Sequence, residues 1–173
     1  MNVFFDTEFT TLDELNEQPE PISIGLVAED GREFYVELND TWTREMCSYF
    51  VLDTVLPLLE GGECRMFEAQ AAVRMREWVE SLGDEGEEVV FFTDSSYHDW
   101  RWVVRLFENY NQWPRNMLRE CGNLWYAFEL ASEEFEAAIK RYWAEHRSER
   151  QHHAIDDARA LRAAIRACSS KVV

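Results

Sequence analysis

Asp30-Gly31 lies between two apolar runs, residues 21–28 (PISIGLVA) and 32–38 (REFYVEL). Asp-Gly favours the positive-φ turn that joins antiparallel strands without splaying them, so the two runs read as a hairpin. Residues 2–9 (NVFFDTEF) supply a third strand and complete a meander. Apolar spacing then turns helical around 43–60 and 68–82, where Val73, Trp78, Val79 and Leu82 recur at helical intervals. Residues 88–93 (EVVFFT) read as a buried strand. Residues 100–110 read as a helix with Trp100, Val103, Val104 and Phe107 on one face. A fifth strand is expected at 124–128, and helices at 133–147 and 154–168. A meander followed by βα alternation predicts an α/β domain: a mixed five-stranded sheet, an antiparallel meander plus parallel strands, flanked by helices. With 173 residues and no low-complexity linker, the chain reads as one domain over 1–173.

The first strand carries a contradiction. Side chains alternate along a strand, so Phe4, Asp6 and Glu8 share one face. Two carboxylates so close repel each other, and burial raises the cost unless a cation lies between them. Either the strand end frays into water, or the acids hold a divalent ion, for which all-oxygen ligands suit Mg²⁺ or Mn²⁺ better than zinc.

Two further segments bear on that choice. In residues 151–161 (QHHAIDDARAL), Ile155, Ala158, Leu161, Ile165 and Cys168 mark an apolar helix face. Asp157 falls at its edge, whereas Asp156 is expected to point to solvent. Asp157 is either an inward ligand or a favourable charge in a first helical turn. His152, just before the helix, is either a site residue or, like His153, an ordinary surface histidine. Residues 93–100 (TDSSYHDW) join the buried strand to the next helix, where open α/β sheets place their sites. Any of Asp94, Ser95, Ser96 or Asp99 also suits a helix cap. Capping does not explain four inward acids and a histidine in one small chain. Paired divalent ions need such an oxygen cluster, and the chemistry they serve is phosphodiester displacement.

In order and placement these segments resemble the DEDDh branch of the DnaQ-like 3′→5′ exonucleases, which includes ribonuclease T, oligoribonuclease and the proofreading subunits. Asp6-Thr7-Glu8 matches the first motif, Asp99 the second, and His152 through Asp157 the third, H-x-x-x-x-D with its following alanine. The likeness runs from Asn2 to about Cys168. The D-T-E-F opening, the I-S-I-G-L-V-A-E-D-G strand and the Y-x-D-W second motif look most like compact stand-alone exoribonucleases. Two positions depart. Ser23 stands where proofreading subunits usually carry an acid, and Asp94 stands where an asparagine often precedes the second-motif aspartate.

The resemblance implies a ribonuclease H-like fold and a metal-dependent 3′→5′ exoribonuclease that releases 5′-mononucleotides from single-stranded RNA or a 3′ overhang. It implies two Mg²⁺ or Mn²⁺ ions on Asp6, Glu8, Asp99 and Asp157, with His152 as general base. Phe9 is expected either to stack on the terminal base or to pack in the core. For Tyr97 and Trp102 packing is the expectation. Relatives of this kind are commonly homodimers. The rivals are a DNA exonuclease and a catalytically silent binding module with the same fold. The chain contains no G-x-x-x-x-G-K-[ST], G-x-G-x-x-G, G-x-S-x-G or H-E-x-x-H.

Charge sets a boundary on how a nucleic acid could bind. The net charge is −17, yet residues 140–173 carry a net +4 and the rest −21. A purely electrostatic nucleic-acid binder is excluded. Arg147, Arg150, Arg159, Arg162 and Arg166 either guide a strand toward the site or pair with acids on exposed faces. Four scattered cysteines without a C-x-x-C pair predict free thiols in a reducing, cytoplasmic setting. No window is apolar for the ~18 residues of a membrane span, and no secretory leader is read at the N-terminus.

Overall fold

The computed structural model describes residues 1–13, 18–84, 86–124 and 132–169. The meander forms as expected: β1 (Asn2–Phe9), β2 (Pro21–Ala28) and β3 (Glu33–Leu38) are antiparallel neighbours. β4 (Arg65–Met66), only two residues long, adds parallel to β3. Helix α1 (Glu68–Glu80) then leads to β5 (Val89–Thr93), which pairs parallel with β1. After α2 (Ser96–Asn109), β6 (Met117–Asn123) pairs parallel with β5. The resulting six-stranded mixed sheet has the order β4-β3-β2-β1-β5-β6. Helices α3 (Ser132–Glu145) and α4 (Ala154–Ser169) complete the chain.

Alternation along β1 divides the molecule into layers. Val3 and Phe5 turn to the core beneath α1 and α2, with Ile24, Leu26, Val36, Met75, Phe91, Val103 and Phe107. Phe4 turns the other way, into a second core with Leu124, Phe135, Leu161, Ala164 and Ile165 from α3 and α4. Asp6 and Glu8 follow Phe4, so α4 roofs the face that carries the two acids. The α4 face read from sequence is the buried one: Ile155, Ala158, Leu161, Ile165 and Cys168 are each at most 5% exposed.

The structure departs from the sequence reading at several elements. The helical spacing around 43–60 is met in part: a 3₁₀ turn forms at Arg44–Met46, and helical backbone then runs from 49 to 58 through a π-helix at Val51–Val55 and a 3₁₀ turn at Leu56–Leu58. Pro57 has no N–H to give the preceding turn, and its ring crowds the carbonyl there. In α1 the buried residues are Ala71, Ala72, Met75 and Val79, while Val73 faces solvent. A strand that the sequence did not reveal forms at Met117–Asn123, next to the one expected at 124–128. It is an edge strand with few fully buried positions, so its apolar signal is weak; residues 125–128 fall outside the described residues. Helix α2 begins at Ser96, four residues before its expected start. Asp99 therefore sits in the first helical turn.

Candidate active site

Three elements bring the acids together. β1 presents Asp6 and Glu8 from its C-terminal half, α2 presents Asp99, and α4 presents Asp157. Close approach of α4 to the sheet depends on Gly25, the β2 residue paired with Asp6: a Cβ there would lie 2.3 Å from the Ile155 backbone nitrogen. The glycine thus lets the first turn of α4 rest against the sheet beside Asp6. All four acids, with Phe9, Asp94, His98 and His152, line a cleft of about 720 Å³.

Within the cleft, ligand atoms of Asp6, Glu8 and Asp157 lie within 4.8 Å of one another, and so do those of Asp6, Asp94 and Asp99. Asp6 belongs to both groups. Asp99 is held firmly, as the Thr7 hydroxyl donates to its Oδ1 (2.6 Å) and the Thr93 hydroxyl to its Oδ2 (2.8 Å). Thr7 reaches Asp99 because it points from β1 toward α2, opposite to Asp6 and Glu8. Glu8, only 9% exposed, makes no hydrogen bond or ion pair among the described residues. No lysine or arginine is among the described residues that line the cleft.

The acidity of these groups reflects that crowding. Burial, followed by repulsion from Asp99, Asp157, Glu8 and Asp94, raises the Asp6 carboxyl well above its ordinary value. Glu8 is raised by burial and by Asp157 and Asp99. Burial lifts Asp99 to about 7 against the opposing hydroxyls of Thr7 and Thr93. It lifts Asp157 to about 7 against the backbone N–H groups of His152 and His153. Asp94 is raised by burial as well. Converging buried carboxylates whose ionised forms lack cationic partners fit a divalent cation, and an oxygen-only donor set fits a hard one such as Mg²⁺ or Mn²⁺.

Asp94 was readable from sequence only as a candidate cap. The N-cap of α2 is Ser95, which makes no side-chain cap hydrogen bond, and Asp94 faces the cleft instead. Asp94 is the member of the cluster that the motif match does not supply; a signal for it was present, in the acid replacing the usual asparagine.

His152 is exposed at the cleft wall, edge-on to Phe50 with ring centroids 4.9 Å apart. Its φ of 65° is a left-handed conformation that costs a non-glycine residue energy, a strain often found at functional positions. Partial burial lowers its pKa from the ordinary histidine value, favouring the neutral ring. Phe9 also reaches the cleft, beside a register shift between β1 and β2. Its ring lies parallel to His98 at 6.1 Å and 6.0 Å from Trp102. Both pack as expected, Trp102 in the interior at 6% exposure and Tyr97 at the surface, 74% exposed with its ring edge-on to His98 at 5.0 Å.

Asp156 and His153 correct the sequence reading. Neither faces solvent: Asp156 is 9% exposed and His153 1%. Asp156 accepts from Arg150, and from Arg159 Nη1 at 2.6 Å, and its Oδ2 lies 2.9 Å from His153 Nδ1. Burial alone would raise the Asp156 carboxyl, but these bonds hold it well below the usual range. Arg150 also bonds Glu60, Arg159 bonds Glu33, and the His153 ring rests 4.7 Å from Tyr35. Arg147 pairs with Glu149, and Arg162 donates to the Glu29 carbonyl at 2.9 Å. Four of the five arginines thus serve the fold or pair locally.

This architecture is a ribonuclease H-like fold. The chain superimposes on a solved structure described as the nuclease domain of 3′hExo, a DEDDh family member, bound to rAMP. The TM-score is 0.68 over 99% of this chain and 92% of that one, at 12% sequence identity. No protein-family model matches the chain, and no curated protein matches it. Among the described residues no helix is long and apolar enough to cross a membrane, and all four cysteines are free thiols.

Proposed function

We propose that this protein is a metal-dependent 3′→5′ exoribonuclease that removes 5′-mononucleotides from single-stranded RNA. The observation that carries the reading is Asp6 shared between two groups of acids, each within 4.8 Å. Asp6, Glu8 and Asp157 would hold one Mg²⁺ or Mn²⁺ ion, and Asp6 and Asp99 would take part in holding a second. Such a pair supplies Lewis-acid stabilisation of the attacking and leaving oxygens of an in-line displacement.

The chain's own residues do the rest. Thr7 and Thr93 fix the Asp99 carboxylate so that it need not reorganise. His152, kept neutral by partial burial, takes the proton from the attacking water as general base. Phe9 offers a ring face at the cleft for the terminal base. RNA is preferred over DNA because the motif surroundings resemble stand-alone exoribonucleases, and the structural neighbour was solved with a ribonucleotide. The four free thiols support a reducing, cytoplasmic setting. A homodimer is part of the proposal, and a monomer mass by light scattering at micromolar concentration would remove it.

The test uses 5′-labelled RNA and DNA of one sequence with Mn²⁺ or Mg²⁺, an EDTA control, and Asp6→Ala beside the wild type. A ladder shrinking from the 3′ end, absent with EDTA and in the variant, is expected, with RNA degraded faster. Faster degradation of DNA would make the protein a DNA exonuclease. Cleavage of neither polymer by folded, metal-loaded protein would make the cleft a silent binding module.

A further inference from the structure

We propose that Asp94 is a fifth carboxylate of this site and that it allows the second ion to bind before substrate arrives; the inference rests on the two-ion nuclease reading above. The motif match assigns Asp94 no role. In the structure, ligand atoms of Asp6, Asp94 and Asp99 lie mutually within 4.8 Å. Without Asp94 that position has two carboxylates, one of them shared with the other ion, and a nucleic-acid phosphate would have to supply the missing negative ligand. With it, three carboxylates face one divalent charge, so the protein alone provides the anionic ligand set.

Two further observations point to cations in this cleft, whose two groups of acids share Asp6. Glu8, nine-tenths buried and lining the same cleft, makes no hydrogen bond or ion pair among the described residues. Asp6, Glu8, Asp94, Asp99 and Asp157 converge in the cleft with no lysine or arginine among its described lining residues. The placement of Asp94 suits a ligand: it follows Thr93, whose hydroxyl fixes Asp99, and its helix-capping alternative is unused. Its carboxylate and that of Asp99 thus come from the two ends of one short, anchored turn.

The experiment titrates the substrate-free protein with Mn²⁺ at pH 8, reading free Mn²⁺ by electron paramagnetic resonance and heat by calorimetry. Two ions are expected on the wild type. Asp94→Asn should retain one and weaken the other by at least the roughly 10–100-fold lost when an outer-shell partner is removed. Asp99→Asn should weaken that same ion, and Glu8→Gln the other one. Melting in EDTA checks the fold, and Asp94→Asn should melt no lower than the wild type because it removes a repelling charge. Equal stoichiometry and affinity in wild type and Asp94→Asn would overturn the role of Asp94 while leaving the nuclease reading intact. Absence of any Mn²⁺ binding by the wild type at millimolar metal would overturn both.

Discussion

A methyl group at position 25 would land on the backbone of α4. The Cβ would lie 2.3 Å from the Ile155 nitrogen, 2.4 Å from the Ala154 carbonyl carbon and 2.5 Å from its oxygen, where ordinary contact begins at 3.4 Å. Relief requires α4 to withdraw by about 1.1 Å, and no side-chain rotation can provide it. Ile155 lies two residues before Asp157, and Gly25 pairs directly with Asp6, so the displacement separates two acids proposed to share an ion. Overpacking of this kind costs roughly 1–3 kcal/mol. At about 2–4 °C per kcal/mol for a chain of this size, Gly25→Ala should melt roughly 2–12 °C lower. Misplacement by about 1 Å can cost ~10²-fold in rate. Thermal melts, Mn²⁺ titration and turnover on one preparation test the chain of reasoning. Gly122→Ala is the comparison: its Cβ would meet the Phe92 ring at 2.2 Å, but a ring can turn aside, so it should lose less stability and keep Mn²⁺ affinity. If Gly25→Ala kept wild-type melting and Mn²⁺ affinity, the idea that this glycine sets the reach of Asp157 would be wrong.

Other residues give distinct signatures. His152→Ala should retain both ions in a Mn²⁺ titration while turnover falls roughly 10²–10⁴-fold, the range for a lost general base. Asp157→Asn should lose an ion with little loss of stability; Asp156→Ala should keep the ions but lose about 1–3 kcal/mol in denaturant melts, since Arg150 and His153 lose their acceptor. In EDTA, stability should fall as pH rises from about 4 to about 7. Asp99 and Asp157 are raised from 3.8 to about 7, so the native state binds more protons than the unfolded chain across that window. Each titrating carboxylate contributes a slope of at most about 1.4 kcal/mol per pH unit. The lowered Asp156 titrates below that window, and the lowered His152 opposes the trend only below 6.5. A metal-free melting temperature that rose between pH 5 and 7 would contradict this. Oligonucleotide binding by His152→Ala should require Mn²⁺ and show a shallow salt dependence by fluorescence anisotropy, and tight binding in EDTA would refute the absence of a basic groove.

How much of this was legible in sequence followed the range of the interactions. The facing of Asp6 and Glu8 follows from strand alternation, and the inward position of Asp157 from 100° per residue on a helix; both rules are local, and both hold here. The acceptor side of Arg150 is not local. Its partner Glu60 lies 90 residues away, so no spacing rule could distinguish a guiding arginine from a structural one. Asp156 fails for a different reason: helical periodicity turned it away from the apolar face, correctly, but a face direction does not show that Arg150 and Arg159, six and three residues away, close over it. Asp94 was ambiguous chemically, since a short acid before a helix caps or coordinates with equal ease. β6 was missed because an edge strand needs few apolar positions, whereas the helical spacing around 43–60 did find the helical backbone of 49–58 but could not tell its irregular π and 3₁₀ form, which includes Pro57.

The first turn of α4 performs two opposed electrostatic tasks on consecutive residues. Asp156 is satisfied: two arginines and His153 surround it, hold its pKa down and tie the turn to β3 and the segment near Glu60. Asp157 is left unsatisfied on the other side, raised to about 7 with only backbone N–H groups to oppose burial. Successive helical residues diverge by 100°, so a doublet of aspartates delivers one charge to an anchoring network and one to a cleft without either competing for the other's partners. The anchor matters because the cluster works against the fold. Carboxylates converging on Asp6 repel one another whenever no cation is present, and that repulsion pushes α4 away from β1. Ion pairs on the far side of the turn, together with the apolar seam from Ile155 to Cys168, hold α4 against that push. The arginines of the basic segment 140–173 that surround Asp156 therefore have a role unrelated to attracting nucleic acid: they hold α4, and with it Asp157, close to the acids of β1.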